Sequence, residues 1–147
     1  MSKPITEKPY RTNRHSCYLL KYHLVVVVKY RHKVIHGKLR DRLLEISRST
    51  IEGKWGLHIE EMDTDEDHIH ILFEPNPQTQ LALLVNNYKT VTSRLIRKEF
   101  AEELKPYFWK PYFWSDTYFI GTVGDTTDEV IKNYIRNQGK RKAANPS

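Results

Sequence analysis

The sequence predicts an α+β protein: a ferredoxin-like βαββαβ sandwich with an antiparallel sheet, helices on one face and an additional C-terminal helix. Three observations lead to this fold class. Apolar residues recur at every second position from Tyr18 to Val28, and three shorter segments at 57–62, 68–74 and 117–123 also have the character of strands. Two segments between the strands carry apolar residues at helical spacing, and a third follows the last strand. The segments occur in the order β-α-β-β-α-β-α.

The first strand and the first helix occupy the N-terminal third of the chain. In the first strand, expected at 18–29, every second residue is apolar, and from Val25 to Val28 both faces become apolar. A strand of this kind needs cover on both faces, from a helix layer and a partner subunit. Gly37 precedes the first helix, expected at 39–51, whose apolar stripe leaves the arginines outside.

A hairpin, a second helix, a further strand and a last helix follow. Residues 57–62 and 68–74 are expected to form two strands joined by an acidic turn. Thr79 is a candidate cap for a second helix that reaches about residue 104. The last strand is expected at 117–123 and the last helix at 128–140. The two helices of the βαββαβ unit cover one face of the sheet, which leaves the other open for nucleic acid or a dimer partner.

The length favours one domain over 1–147, with about 1–15 and 142–147 as flexible tails. The longest aliphatic run has five residues, whereas a membrane span needs about 20, so no membrane association is expected. The N-terminus has no apolar core of a secretory signal. The single cysteine, Cys17, excludes an internal disulfide and a cysteine-based zinc site. These features favour a cytoplasmic protein.

The charge is concentrated in two opposite features. The net charge of +6 hides an acidic window at 60–67 with six acids and no base, outside which 12 acids face 24 bases, a net charge of +12. A strongly basic surface suits the phosphates of a nucleic acid. The acidic window would repel them unless a cation lies there, although it is equally typical of a solvated turn.

The pair His68 and His70 is the first candidate for chemistry. Residues at positions i and i+2 of a strand point the same way, so both imidazoles project from one face. With nearby carboxylates they form a plausible divalent-metal platform, and Asp65 or Asp67 could add a ligand or orient an imidazole. A chance pair of histidines on a strand would have the same pattern.

The last helix carries a second constellation. Tyr134 and Gln138 are four residues apart and share a face, a pattern that is usually only packing. A basic ridge on another face could follow a phosphate backbone or simply face solvent; its members are Lys132, Arg136, Lys140 and Arg141. The chain contains no GxxxxGK[ST] loop, so no nucleotide cofactor is expected.

A tandem repeat, Lys-Pro-Tyr-Phe-Trp, spans 105–109 and 110–114. Aromatic rings beside lysines could stack on bases and hold phosphates. The favoured interpretation is a hydrophobic loop packed on the core or on a dimer partner, because six adjacent aromatic residues cannot all face solvent.

Three motifs together resemble a known family. The motifs are Tyr22-His23-Leu24-Val25 leading to Lys29-Tyr30-Arg31, Asp67-His68-Ile69-His70, and the terminal helix 130–138 with Tyr134 and Gln138. In this order and over about 16–140, they resemble the single-tyrosine HUH transposases of the insertion-sequence 200/605 family. The resemblance implies that His68, His70 and Gln138 are metal ligands and that Tyr134 is the nucleophile.

The resemblance also implies an activity. Such an enzyme cleaves and rejoins single-stranded DNA at the ends of an insertion sequence through a 5′-phosphotyrosine, without ATP. It recognises subterminal DNA hairpins and works with a divalent metal, Mg²⁺ or Mn²⁺. It is a homodimer with composite active sites, in which one subunit supplies the histidines and the other the tyrosine. Two alternatives stay open: a non-catalytic module that binds single-stranded nucleic acid, and a host-adapted HUH nickase.

Overall fold

The computed structural model describes residues 11–12, 17–18 and 20–144, with side chains from 20 to 138. One sheet contains β1 (Tyr22–Val27), β2 (His58–Thr64), β3 (His68–Glu74) and β4 (Phe119–Thr122). The helices are α1 (Gly37–Arg48), α2 (Leu81–Glu99), α3 (Ala101–Leu104) and α4 (Asp128–Ala144). Short helical turns lie at Lys29–Arg31, Ser49–Lys54 and Val123–Asp125.

The strands follow the order β2-β3-β1-β4, and every neighbouring pair is antiparallel. With one helix segment after β1 and another after β3, this is the predicted ferredoxin-like arrangement. β1 lies between β3 and β4, so its main chain is paired on both sides. Val25 lies opposite His70 on one neighbour and Phe119 on the other, which fixes the residues that share each face.

One face of the sheet packs against α1 and α2. Alternate residues of β3 enter this core, namely Ile69, Ile71 and Phe73, all fully buried. The helices supply residues at helical spacing: Leu39, Leu43 and Ile46 from α1, and Leu84, Val85, Tyr88 and Ile96 from α2. Each such side chain contributes about 1.5–3 kcal/mol when buried, so this face supplies most of the stability that holds the site.

A buried hydrogen bond joins the two helices. Tyr88 is fully buried, and its hydroxyl lies 2.7 Å from Ser47 Oγ on α1. We expect Tyr88→Phe to lower the free energy of unfolding by about 1–2 kcal/mol, because Ser47 loses its buried partner. Urea unfolding measures the change. The double variant Tyr88→Phe/Ser47→Ala should lose less than the sum of the single variants; strict additivity would contradict a coupling between the two hydroxyls.

The other face of the sheet is covered in part by α4, and the expectation of an open face is therefore wrong. Val25 and Val27 lie on this face and are fully buried, outside the core under α1 and α2. The ring of Phe119 lies on the same face and packs at 5.6 Å from the ring of Tyr134 on α4. The doubly apolar strand is thus covered by two layers of its own chain.

Several boundaries differ from those expected. β1 begins at Tyr22, and Cys17–Tyr18 instead pairs with Arg11–Thr12 in a separate short ribbon. Thr79 does not cap α2: its hydroxyl bonds with Asn76, and Gln80 precedes the helix without a side-chain cap. The helix expected to reach residue 104 is interrupted at Phe100, whose backbone leaves the helical region.

The expected tails are described only in part. Residues 1–10, 13–15 and 145–147 lie outside the described residues, while 11–12 belong to the short ribbon and 142–144 continue α4. None of the helices in the described part of the chain combines the length and the hydropathy needed to cross a bilayer.

The tandem aromatic repeat packs mainly on the core, as the favoured interpretation predicted. Phe108, Phe113 and Trp114 are buried, and the indole of Trp114 donates a hydrogen bond to Thr92 Oγ1 at 2.8 Å. The two copies are not equivalent, because Trp109 is 86% exposed and Lys110 Nζ lies 4.8 Å from the centre of its ring.

Candidate functional site

The first half of the candidate site is built around His68 at the start of β3. Its Nδ1 lies 2.8 Å from Asp67 Oδ1, and Arg31 Nε donates to the other oxygen, Asp67 Oδ2, at 3.1 Å. The bond with His68, and then the Arg31 guanidinium, hold the pKa of the buried Asp67 carboxyl below its usual value against the opposing effect of burial. With Nδ1 engaged, Nε2 is the nitrogen that His68 can offer to a ligand.

The turn after β1 brings Arg31 to this carboxylate. Tyr30 and Arg31 adopt left-handed backbone conformations, with φ of 61° and 56°. For residues with a Cβ this conformation costs about 1–2 kcal/mol each, so the surrounding contacts must hold it. The backbone N–H of Val28 donates to the Asp67 carbonyl at 2.8 Å, which ties the turn to the loop that precedes His68.

His70 has a partner that the sequence did not identify. His23 Nδ1 lies 2.7 Å from His70 Nε2, and the two rings stack at 4.9 Å. Burial lowers the pKa of His70, and the neighbouring His23 lowers it further. With Nε2 engaged by His23, Nδ1 is the nitrogen that His70 can offer to a ligand. The signal in the sequence was the period-two pattern of β1, which places His23 on the face of Val25.

The second half of the site lies on α4 and the segment before β4. The hydroxyl of Tyr134 lies 2.9 Å from Thr117 Oγ1, which also donates to Gln138 Oε1 at 3.3 Å. The structure therefore brings Tyr134 and Gln138 together through Thr117, and it places their helix over the face that carries His68 and His70. Thr117 was not singled out in the sequence, although Thr117 and Phe119 have the i, i+2 spacing of a shared strand face.

A cavity of about 350 Å³ lies between His68 and α4, and its lining includes none of His70, Tyr134 and Gln138. From α4 it is lined by Lys132, Ile135 and Arg136, and from the other side by His68 and its neighbours. Lys132 and Arg136 therefore face the histidine side of the sheet. Of the predicted basic ridge, the side chains of Lys140 and Arg141 lie outside the described residues.

The acidic window is divided among several partners. Asp63 pairs with Arg40 at 3.3 Å and Glu60 with Lys21 at 3.0 Å, both away from the cavity. Asp65 lines the cavity. The expectation that the whole window needs a cation is therefore too simple, because basic side chains of the same chain neutralise part of it.

The donor atoms near His68 fit a divalent cation. Ligand atoms of Asp65, Asp67 and His68 all lie within 4.8 Å of one another. Imidazole nitrogen and carboxylate oxygen suit Mn²⁺ and related ions, and oxygen donors suit Mg²⁺. Asp67 already binds His68 and Arg31, so its carboxylate holds the imidazole of His68 in place. Another group with suitable spacing, His58, Glu60 and Glu74, lies at the opposite end of the β2–β3 hairpin.

Comparisons with known proteins identify the family of this chain. The family model described as "Transposase IS200 like" matches residues 16–138. The chain is 34% identical over 121 residues to the ISDra2 transposase TnpA of Deinococcus radiodurans, which covers 82% of this chain and 85% of the relative. It is 32% identical over 132 residues to the transposase of insertion element IS200 from Salmonella typhimurium, covering 90% and 83%.

A solved structure is also similar. The crystal structure of a candidate transposase from Deinococcus radiodurans R1 superposes with a TM-score of 0.79 at 30% identity, covering 87% of this chain and 97% of that one. The sheet, its tyrosine-bearing helix and the matched family define a transposase, a DNA-processing enzyme. The chain belongs to the IS200-like transposase family.

Proposed function

We propose that this transposase cleaves and rejoins single-stranded DNA at the ends of an insertion sequence, with Tyr134 as the nucleophile. One observation carries the proposal: a hydrogen bond with Thr117 holds Tyr134 on α4, and the same helix lines a cavity together with His68. The reaction would take place in the cytoplasm on DNA hairpins near the element's ends. The active form would be a homodimer with composite sites, in which the tyrosine helix of one subunit serves the histidines of the other.

The proposed covalent step balances without a co-reactant. The Tyr134 oxygen forms a bond to the scissile phosphorus, its proton passes to solvent, and the bond from phosphorus to the 3′-oxygen breaks. The 3′-oxygen takes up a proton and leaves as a 3′-OH, while the other strand end remains as a 5′-phosphotyrosine. Attack by a 3′-OH reverses these changes and rejoins DNA. Each step exchanges one phosphodiester for another, which is why no ATP is needed.

The proposed metal ligands are His68, His70 and Gln138, with Asp65 and Asp67 in supporting positions. The histidines lie on one face of β3, and α4 carries Gln138 over that face. A bound Mg²⁺ or Mn²⁺ would polarise the phosphate oxygens. Around it, Lys132 and Arg136 supply positive charge at the cavity, where they can hold the flanking phosphates.

An adduct assay tests this proposal. The full chain is incubated with Mn²⁺ and a synthetic single-stranded DNA hairpin with randomised flanks, labelled at either the 3′ or the 5′ end, and run on a denaturing gel. A 5′-phosphotyrosine transfers the 3′ label to the protein and leaves the 5′ label on free DNA. Absence of any adduct would favour a non-catalytic binding module, to which the exposed Trp109 beside Lys110 would be suited.

Strand joining separates a transposase reaction from simple nicking. A second oligonucleotide with a free 3′-OH is added after the adduct has formed. A strand transferase joins it to the protein-bound DNA and releases the protein, whereas a nickase leaves the adduct in place.

Asp67→Asn tests how the imidazole is held. We expect it to weaken Mn²⁺ binding by about 10- to 100-fold, because the amide removes the charge that fixes the His68 tautomer. Titration calorimetry with Mn²⁺ measures the affinity. Asp41→Asn, an exposed carboxylate on α1, is the matched control. Equal affinities of the two variants would remove Asp67 from the metal site.

A further inference from the structure

The side chain of Thr117 contacts both Tyr134 and Gln138 through hydrogen bonds. We propose that Thr117 is a positioning residue for the reaction. It fixes the position of the Tyr134 oxygen and couples that oxygen to the hydrogen bond accepted by the Gln138 carbonyl. This inference rests on the proposed function, since it concerns how the same tyrosine is presented to DNA. Thr117 reaches the chemistry only through these two side chains.

The direction of the two hydrogen bonds follows from the donors available. A threonine hydroxyl has one hydrogen and can accept as well as donate. The Gln138 Oε1 atom only accepts, so the Thr117 hydrogen is used at Gln138. Tyr134 must then donate its own hydrogen to Thr117 Oγ1 at 2.9 Å. The result is a directed chain from the Tyr134 hydroxyl through Thr117 to Gln138.

The ring and the hydroxyl of Tyr134 are held from one short segment. Phe119, two residues after Thr117, packs its ring at 5.6 Å and 48° against the Tyr134 ring. Thr117 contacts the hydroxyl and Phe119 contacts the ring, so the two residues hold the tyrosine as a pair. The side chains of Thr117, Tyr134 and Gln138 are all half-buried, which limits competition from water for these hydrogen bonds.

During the reaction the Thr117 hydroxyl can donate its hydrogen to Tyr134 instead of accepting one from it. As the Tyr134 oxygen gains negative charge, it becomes the stronger acceptor. Rotation of the Thr117 hydroxyl then turns its hydrogen from Gln138 to the tyrosine oxygen and frees the Gln138 carbonyl for another partner. One bond rotation thus couples the nucleophile to the proposed third ligand. An exchange of α4 between two copies of the chain would form the same contacts.

The test compares Thr117→Val, which removes the hydroxyl at nearly constant shape, with Thr117→Ser, which keeps it. Single-turnover adduct formation is measured with the 3′-labelled hairpin at saturating DNA, alongside the hairpin Kd and the Tm of each variant. We expect Thr117→Val to slow adduct formation by about 10- to 100-fold, with Kd and Tm little changed. Thr117→Ser should stay within about threefold of the wild-type rate.

The outcomes separate this inference from the proposed function. A wild-type rate for Thr117→Val, or equal slowing by both variants, overturns the role of the hydroxyl while the wild-type adduct still supports Tyr134 chemistry. If Thr117→Val loses Tm and hairpin affinity in step with its rate, its role is structural, and the inference fails. Loss of the adduct in the wild type itself would instead overturn the proposed function.

Discussion

Replacing Tyr134 with phenylalanine is expected to abolish the covalent protein–DNA product while leaving the fold and hairpin binding in place. The substitution removes only the hydroxyl oxygen that would attack phosphorus, and the ring contact with Phe119 remains available. Loss of a nucleophile that forms a covalent intermediate lowers the rate by at least about a thousandfold. Denaturing gels with the 3′-labelled hairpin measure the adduct, and a gel-shift titration measures hairpin binding.

The matched control for this variant is Tyr107→Phe. Tyr107 is an exposed tyrosine in the first copy of the aromatic repeat, so its phenol is at least as accessible to DNA as that of Tyr134. Adduct formation by Tyr107→Phe should equal that of the wild type. An adduct that persists in Tyr134→Phe at the wild-type level would assign the covalent bond to another residue, and peptide mapping of the DNA-linked fragment would identify it.

The sequence predicted the parts of the site that depend on periodicity. The boundaries of β3 were predicted as observed, because His68, His70 and the alternating apolar residues define both a strand and its faces. The helix that carries Tyr134 was predicted to begin at Asp128, where the structure begins it. Such patterns depend only on residues close together in the sequence. Packing on either face of the sheet leaves them unchanged.

The contacts that hold the candidate site residues depend on strand register and on turns. His23 reaches His70 because β1 and β3 align Val25 with His70, a pairing that no short stretch of sequence specifies. Arg31 reaches Asp67 through two residues in left-handed conformations, which were not expected without glycine. These contacts form only when the four strands are assembled into the sheet, so local sequence patterns do not specify them.

The three candidate groups share one feature, namely that a second residue holds each of them. His68 is held by Asp67, His70 by His23, and Tyr134 by Thr117. Asp67 is the chain neighbour of His68, whereas the other two partners come from distant segments. A reactive group held by a second residue keeps its geometry when the substrate arrives, which reduces the entropy lost in reaching the reactive arrangement.

His68→Ala is expected to abolish cleavage and leave hairpin binding largely intact, since it removes a proposed metal ligand at the cavity and no part of the core. The variant also shows how the site is shared between subunits when it is mixed with Tyr134→Phe. In a composite dimer, a heterodimer of these variants has one site with both substitutions and one site with neither. Random exchange then restores about a quarter of the wild-type sites.

The mixture of His68→Ala with His70→Ala is the control, because both substitutions affect the histidine half and no heterodimer regains an intact site. Rescue in the first mixture and none in the control establishes that Tyr134 acts across the dimer. Native mass spectrometry confirms that heterodimers have formed. If they form and no activity returns, both halves of each site belong to one chain, in the arrangement in which α4 already packs over its own sheet and lines the cavity with His68.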